Sequence, residues 1–128
     1  MRLLLDTCTF LWLALDDPAL SGPARESFKN PENDVFLSVV SAWEIAVKYA
    51  SGNLSLPGNP AVWVSSSRSQ HNIKSLPLEE DAASYVAKLP FMHRDPFDRM
   101  LICQAIVHEL TLLTPDKQIT QYPIRTLW

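Results

Sequence analysis

The pattern of apolar and polar positions predicts strands and helices that alternate along the chain. Short apolar runs rich in leucine, valine, isoleucine and threonine are typical of buried strands. They lie at residues 2–5, 35–38, 73–78, 111–114 and 124–127. Apolar residues at helical spacing occupy most of the chain between them. Alternating strands and helices indicate an α/β domain with a mostly parallel sheet.

Capping residues and prolines predict where the helices begin. Ser41 and Glu44 have the spacing of a capping box, so a helix is expected to begin there and to end at Gly52. Asp95 before Pro96 is a strong signal for the start of another helix, with Asp95 as its cap. Further helices are expected at about residues 10–15, 23–30, 59–71 and 79–89.

Length and composition predict one domain, residues 1–128, because 47% apolar content is enough for one buried core in a chain of this size. The two cysteines, Cys8 and Cys103, lie in apolar runs, where free thiols are usually buried. No apolar run approaches the roughly 18 residues of a membrane span, and Asp6 interrupts the first run. We therefore expect a reduced, cytoplasmic protein without a membrane partner.

The net charge of −3 argues at first against nucleic acid as a partner, because phosphate binding usually needs a basic surface. That objection weakens if several carboxylates cluster around a cation. Without four such carboxylates the remaining chain is slightly basic. Charge alone therefore neither excludes nor supports a nucleic-acid substrate.

Four carboxylates lie where the strands and helices of such a domain meet. Asp6 follows the first strand, Glu44 lies in the helix after the second, and Asp116 closely follows the strand ending at 114. Asp98 lies in the first turn of the helix after Pro96. In parallel sheets, ligands bind beyond the carboxyl ends of the strands. If the four converge, their repulsion favours binding of a hard cation such as Mg²⁺ or Mn²⁺.

Each carboxylate also has a purely structural interpretation, and the spacing leaves these alternatives open. Glu44 completes a capping box with Ser41, Asp98 suits the dipole of its helix, and Asp116 suits a turn after Pro115. Asp6 is the least easily explained in this way, because no turn residue stands beside it.

Four stretches resemble one known family. They are residues 3–7 (LLLDT), 41–48 (SAWEIAVK), 93–105 (HRDPFDRMLICQA) and 112–116 (LLTPD). In this order they resemble the PIN-domain ribonucleases, and more narrowly the VapC toxins of bacterial toxin–antitoxin pairs. The third stretch is the most distinctive.

The resemblance implies a three-layer α/β/α sandwich around a short, mostly parallel sheet. It further implies an endoribonuclease toxin that uses Mg²⁺ or Mn²⁺ to activate water and cleave single-stranded RNA. Its catalytic and metal-binding residues would be Asp6, Glu44, Asp98 and Asp116, supported by Thr7, Asp95, Thr114 and Arg99. An antitoxin protein that covers the active-site groove and a second copy of the chain are the implied partners.

Other residues add weaker signals. Tryptophan is favoured at interfaces, and of the four tryptophans Trp128, the last residue of the chain, is the least suited to the core. Basic residues that would steer RNA are Lys48, Arg68, Arg94, Arg99 and Lys117. His93 lies close to the predicted pocket in sequence but is not expected to be a metal ligand.

Three other classes of protein were weighed. A phospho-accepting receiver domain binds Mg²⁺ but needs a second acid beside Asp6, where this chain has Leu5 and Thr7. A dehalogenase-type phosphatase needs an aspartate at position 8, which is Cys8. A glycine-rich nucleotide-binding loop is excluded, because the three glycines are far apart. A catalytically inactive PIN-like binding module stays open.

Overall fold

Five short parallel strands form the centre of the computed structural model, which describes residues 1–128. The strands are β1 (Arg2–Leu5), β2 (Asp34–Ser38), β3 (Lys74–Leu76), β4 (Thr111–Leu113) and β5 (Thr126–Leu127). Their order in the sheet is β3-β2-β1-β4-β5. In the middle strand, Leu4 lies opposite Phe36 on one side and Leu112 on the other. The mostly parallel sheet predicted from the sequence is confirmed.

Seven helices connect and cover these strands. They are α1 (Thr7–Ala14), α2 (Gly22–Lys29), α3 (Val39–Ala50), α4 (Pro60–Gln70), α5 (Glu80–Tyr85), α6 (Pro96–Val107) and α7 (Lys117–Thr120). None of them is both long enough and apolar enough to cross a membrane.

The core consists of two layers, one on each face of the sheet. Because side chains alternate along a strand, Leu3 and Leu5 point to one face and Leu4 to the other. The first layer also contains residues of α1, α2, α3 and α4, whereas the second contains residues of α6 and α7. All three leucines are fully buried. The predicted α/β/α sandwich is therefore confirmed.

The sheet order gathers the starts of two helices at one edge. From β1 the chain runs outward through β2 and β3, and then returns to the other side of β1 as β4 and β5. The carboxyl ends of β1 and β4 therefore lie beside each other at the point where the strand order reverses. Such a switch point is where open α/β sheets bind ligands. Helix α1 begins directly after β1, and α7 begins three residues after β4.

The capping box predicted for Ser41 and Glu44 is wrong. Helix α3 begins at Val39, and its N-cap is Ser38, whose hydroxyl accepts a hydrogen bond from the amide of Val40. Ser41 and Glu44 lie inside the helix and are buried. The cap is the last residue of β2, so no loop separates the strand from the helix. The spacing that resembles a capping box therefore begins about one turn after the true start of α3.

Three smaller expectations also differ from the structure. Cys103 is buried as expected, but Cys8, in the first turn of α1, is exposed. Trp128 is half-buried against Trp12, with ring centroids 5.7 Å apart, whereas Trp43 is 61% exposed. Helix α7 was not predicted, because its four residues carry too little periodicity to be recognised.

Candidate active site

A cleft at the switch point of the sheet contains all four carboxylates that the sequence singled out. The charged residues of its wall are Asp6, Glu44, Lys48, Asp95, Asp98 and Asp116. Five carboxylates therefore share the cleft with one lysine. The loop before α6 returns to this edge of the sheet, which the sequence permitted but did not establish for Asp98.

Asp6 is the most deeply enclosed of the acids that follow a strand. It caps α1, and one carboxylate oxygen accepts a hydrogen bond of 2.7 Å from the amide of Thr9. The other oxygen accepts a hydrogen bond from the hydroxyl of Thr114. Burial raises the pKa of Asp6 above its ordinary value, while the hydrogen bonds from Thr114 and Thr9 oppose that rise. These two hydrogen bonds therefore fix the orientation of the Asp6 carboxylate.

Asp98 lies in the first turn of α6, directly after the residues that begin the helix. Asp95 is the N-cap, as predicted, and its side chain accepts a hydrogen bond of 2.9 Å from the amide of Phe97. Burial is the main cause that raises the pKa of Asp98 to about 7, and the charges of Asp95 and Glu44 contribute to the rise. A positive charge beside Asp98 would therefore stabilise its ionised form.

Glu44 is the one acid of the cleft that already has a cationic partner. One of its oxygens accepts a hydrogen bond of 2.6 Å from Thr7, and the other lies 2.5 Å from the Nζ atom of Lys48. The hydrogen bond to Glu44 is the main reason that the pKa of Lys48 is raised. Because Glu44 lies one and a half turns into α3, it does not cap the helix.

Asp116 is the N-cap of α7, so its place after Pro115 also serves to start that helix. One oxygen accepts a hydrogen bond of 2.9 Å from the amide of Gln118. The hydroxyl of Thr114 accepts a hydrogen bond of 3.1 Å from the amide of Asp116 and donates one to Asp6. Thr114 therefore connects the acids after β1 and β4.

His93 is the functional candidate that sequence reasoning did not select. It is buried, and its Nε2 atom lies 2.9 Å from a carboxylate oxygen of Asp98 and 3.5 Å from one of Asp116. One side-chain atom from each of these three residues lies within 4.8 Å of the others. In the sequence, only its position in the stretch 93–105 pointed to a role for His93. Its contact with Asp116 joins residues 23 positions apart, which the local pattern does not reveal.

The donor set of the cleft fits a hard divalent cation. Asp6, Asp98 and Asp116 offer carboxylate oxygens, and the only thiol in the cleft is that of Cys8. Burial and the charges of Asp6 and Glu44 raise the pKa of Cys8 to about 11, so its thiol stays protonated and is a poor ligand. Oxygen donors favour Mg²⁺ or Mn²⁺ over zinc or copper. Burial is the main cause of the raised pKa values of Asp6 and Asp98, and the charges of neighbouring carboxylates add to it.

Arg99 does not have the role in steering RNA that its sequence position suggested. The guanidinium group is buried and donates hydrogen bonds to the backbone carbonyls of Leu89, Pro90 and His93. These bonds point it away from solvent. The basic group that does face the cleft is Lys48, which is about half exposed and paired with Glu44.

The PIN domain family matches residues 3–124, which is nearly the whole chain. A comparison with curated protein sequences gave no significant match.

Several solved structures are similar in fold at low sequence identity. VapBC2 from Rickettsia felis, bound to a DNA fragment from their promoter, has a TM-score of 0.73 and 15% identity over 99% of this chain and 98% of the other. DNA-bound VapBC from Salmonella typhimurium has a TM-score of 0.70 and 18% identity over 99% and 97%. VapBC-5 from Mycobacterium tuberculosis, a member of the VapBC family of toxin-antitoxin systems, has a TM-score of 0.60 and 18% identity over 98% and 95%.

Proposed function

Because the chain belongs to the PIN domain family, we propose that it is an endoribonuclease that depends on Mg²⁺ or Mn²⁺ and cleaves single-stranded RNA. One observation supports this most strongly. Asp6, Asp98 and Asp116 converge at the switch point of the sheet, where burial raises the pKa of the first two. A cation offsets the negative charges that are buried together in the cleft. It also supplies the Lewis acidity that phosphodiester hydrolysis needs.

The residues of the cleft divide into three roles in this proposal. Asp6, Asp98 and Asp116 hold the cation, with Glu44 as a fourth carboxylate in contact through water or directly. Bound Mg²⁺ or Mn²⁺ would supply Lewis acidity, which lowers the pKa of water and offsets negative charge on the phosphate. Thr114 keeps the carboxylate of Asp6 in its orientation.

Lys48 supplies the positive charge that the protein itself brings to the cleft. Its Nζ atom is fixed by Glu44 at 2.5 Å, and its side chain is 47% exposed. A phosphate oxygen that enters the cleft therefore meets an ammonium group already held in place. This arrangement positions the substrate and lowers the repulsion between RNA and the acids.

We propose RNA as the substrate because four stretches of the chain resemble the VapC ribonucleases. The same resemblance leads us to propose that the protein is the toxin of a toxin–antitoxin pair. The similar structures named VapBC agree with a protein partner. A stripe on α3 supports one as well: Val39, Trp43 and Val47 are 40%, 61% and 44% exposed and lie next to the cleft residue Glu44. We propose that an antitoxin segment covers the cleft, that the chain forms a homodimer, and that it acts in the cytoplasm.

The test of this function is an RNA cleavage assay with purified protein freed of any antitoxin. We expect cleavage of a labelled single-stranded RNA with Mg²⁺ or Mn²⁺, none in excess EDTA, and little of a DNA strand of the same sequence. Asp98→Asn should abolish cleavage. Glu32→Gln is the matched control, because Glu32 is an exposed acid in the loop between α2 and β2. Cleavage that persists in EDTA contradicts the cation mechanism.

The same assay separates the proposal from the alternative of an inactive binding module, which would bind RNA or the antitoxin without any cleavage. The receiver-domain alternative is not supported by the fold. Its strand order is 2-1-3-4-5, whereas this sheet has the order 3-2-1-4-5.

A further inference from the structure

His93 lies between two of the proposed cation ligands and touches both. Its ring is 8% exposed, and Nε2 lies 2.9 Å from Asp98 and 3.5 Å from Asp116. Asp98 lies in α6, whereas Asp116 is the N-cap of α7. His93 is therefore a side chain that bridges them directly.

The other ring nitrogen shows which atom carries the proton. Nδ1 lies 3.3 Å from the backbone nitrogen of Asp95 and accepts its N–H hydrogen bond. An accepting nitrogen has no proton, so the neutral ring carries its proton on Nε2. His93 therefore donates a hydrogen bond to Asp98, and Nε2 has no lone pair with which to bind a cation.

The loop that carries His93 is fastened to the rest of the protein by Tyr122, which lies after α7. The Tyr122 hydroxyl accepts hydrogen bonds of 3.0 and 2.8 Å from the amides of Met92 and His93 and donates one of 2.9 Å to the carbonyl of Pro90. Hydrogen bonds between one hydroxyl and three residues of the loop fix this part of the backbone. Tyr122 is itself 2% exposed.

Arg99 also fastens this loop, beside Tyr122. It is 7% exposed, and no carboxylate lies within ion-pair distance of it. Its Nη1 atom lies 3.0 Å from the carbonyl of Pro90, and its guanidinium group lies 4.7 Å from the centre of the Phe91 ring. A buried guanidinium group is costly, and here its hydrogen bonds are used entirely on the loop and on Tyr122.

We propose that His93 is a positioning residue, which Tyr122 and Arg99 hold in place so that its Nε2–H group orients Asp98 and Asp116 for the cation. This inference rests on the proposed cation site. It makes His93 an outer-shell donor, which fixes ligand carboxylates without binding the metal. Losing such a partner typically lowers metal affinity by roughly 10- to 100-fold.

The first test measures Mn²⁺ affinity by calorimetry at pH 8 for the wild type, His93→Leu and His93→Gln. Leucine should weaken binding by roughly 10-fold or more. Glutamine should recover most of the affinity, because its amide N–H can replace Nε2–H. The control is His71→Leu, since His71 is another partly buried histidine with one hydrogen bond, to Ser67, and is not in the cleft.

The outcomes distinguish this inference from the proposed function. A wild type that does not bind Mn²⁺ overturns the cation site and the role of His93 with it. Mn²⁺ affinity unchanged in His93→Leu overturns the role of His93 alone. If neither leucine nor glutamine binds Mn²⁺, His93 is a ligand rather than a positioning residue, and the inference is wrong.

A second readout follows the proton itself. Nitrogen-15 NMR of the wild type should show the Nε2–H form of His93 both without cation and with Mg²⁺. Loss of the Nε2 proton when Mg²⁺ is added would overturn the outer-shell role, because it would mean that Nε2 binds the ion.

The role of the Tyr122 hydroxyl is tested with a double-mutant cycle. Tyr122→Phe removes only the hydroxyl that holds Met92 and His93, and should weaken Mn²⁺ binding by a few-fold. In the background of His93→Leu the same change should have almost no further effect, because the hydroxyl acts through His93. Full additivity of the two changes would contradict this connection.

Discussion

Asp98 is held at a position where its charge is unfavourable until a cation binds. Burial, together with the charges of Asp95 and Glu44, raises its pKa to about 7. His93 opposes this rise and lowers the pKa. The buried acids of the cleft therefore lower the stability of the cation-free protein and favour the binding of a divalent ion. Such perturbed pKa values are common at functional sites.

The first prediction concerns the pH dependence of stability without metal. In the unfolded chain Asp98 loses its proton near pH 4, but in the folded protein it keeps it until about pH 7. The folded state therefore binds more protons in this window, and stability falls as pH rises from 4 to 7. Thermal unfolding in EDTA should show a lower midpoint at pH 8 than at pH 5.5.

The same measurement has two internal checks. Mn²⁺ should raise the midpoint more at pH 8 than at pH 5.5, and Asp98→Asn should flatten the pH profile. A midpoint in EDTA that rises between pH 5.5 and 8 would contradict the account of Asp98.

The second prediction concerns the hydrogen bond that holds Asp6. Thr114→Val removes the hydroxyl donor and leaves a buried carboxylate oxygen without its partner. The free energy of unfolding should fall by about 1–3 kcal/mol. Urea denaturation measures this change. Thr114→Ser keeps the hydroxyl and is the control, which should stay close to the wild type.

The sequence indicated these residues to different degrees. Asp6 was selected because no turn residue explains it, and Asp98 through the stretch 93–105. The Thr114 hydrogen bond to Asp6 spans 108 positions, and the contact between His93 and Asp116 depends on how two loops return to the same edge. Local sequence patterns do not reveal contacts between residues that lie so far apart along the chain.

At the scale of secondary structure, three of the acids in the cleft are also the residues that cap helices. Asp6, Asp95 and Asp116 are the N-caps of α1, α6 and α7. A carboxylate at an N-cap satisfies free amides and lies at the positive end of the helix dipole. The structural interpretation and the functional one are therefore compatible for Asp116, and the cap explains why these acids point to one edge.

The third prediction separates the two effects of Asp95. Asp95→Ala removes the cap of α6 and should lower the free energy of unfolding by about 1 kcal/mol. Asp95→Ser keeps a capping oxygen but removes the charge, so stability should be largely retained. In both variants the pKa of Asp98 should fall, because a repelling charge is gone. Urea denaturation and carbon-13 NMR titration of Asp98 measure these quantities. An unchanged Asp98 pKa in the serine variant would argue against this repulsion.

The elements themselves were predictable where apolar runs were clear. The strands and the start of α6 were found, because the strands are buried and Asp95 with Pro96 is a strong start signal. The start of α3 was misplaced, since Ser41 and Glu44 have the spacing of a cap although Ser38 forms it. Both residues are buried against α1, where the Thr7 hydroxyl contacts them. This is a tertiary contact, which the spacing of the two residues does not reveal.

At the scale of the whole molecule, the order of the strands is what creates the cleft. The reversal beside β1 places the carboxyl ends of β1 and β4 together, so residues more than 100 positions apart share one site. The fold class followed from alternation of strands and helices. Which strand neighbours which did not, because every strand here is a similar short apolar run.

The fourth prediction concerns the exposed apolar stripe on α3. Trp43 is 61% exposed, and its ring contacts that of Phe97 with centroids 4.8 Å apart. Trp43→Lys should weaken association with a second copy or an antitoxin by at least ten-fold, while RNA cleavage by the isolated chain is retained. Light scattering after size-exclusion chromatography measures self-association. The control is Val62→Lys, at a residue that is 65% exposed on α4. Equal effects of both variants would argue against a specific interface on α3.

The most direct test of the central claim compares cation binding with catalysis in one protein preparation. Mn²⁺ bound per chain and the rate of single-stranded RNA cleavage are measured across the same range of Mn²⁺ concentration, for the wild type, Asp98→Asn and Glu32→Gln. The account predicts that rate and occupancy rise together in the wild type and the control, and that both are lost in Asp98→Asn. RNA cleavage by Asp98→Asn at the wild-type rate, or cleavage without bound Mn²⁺ or Mg²⁺, would contradict it.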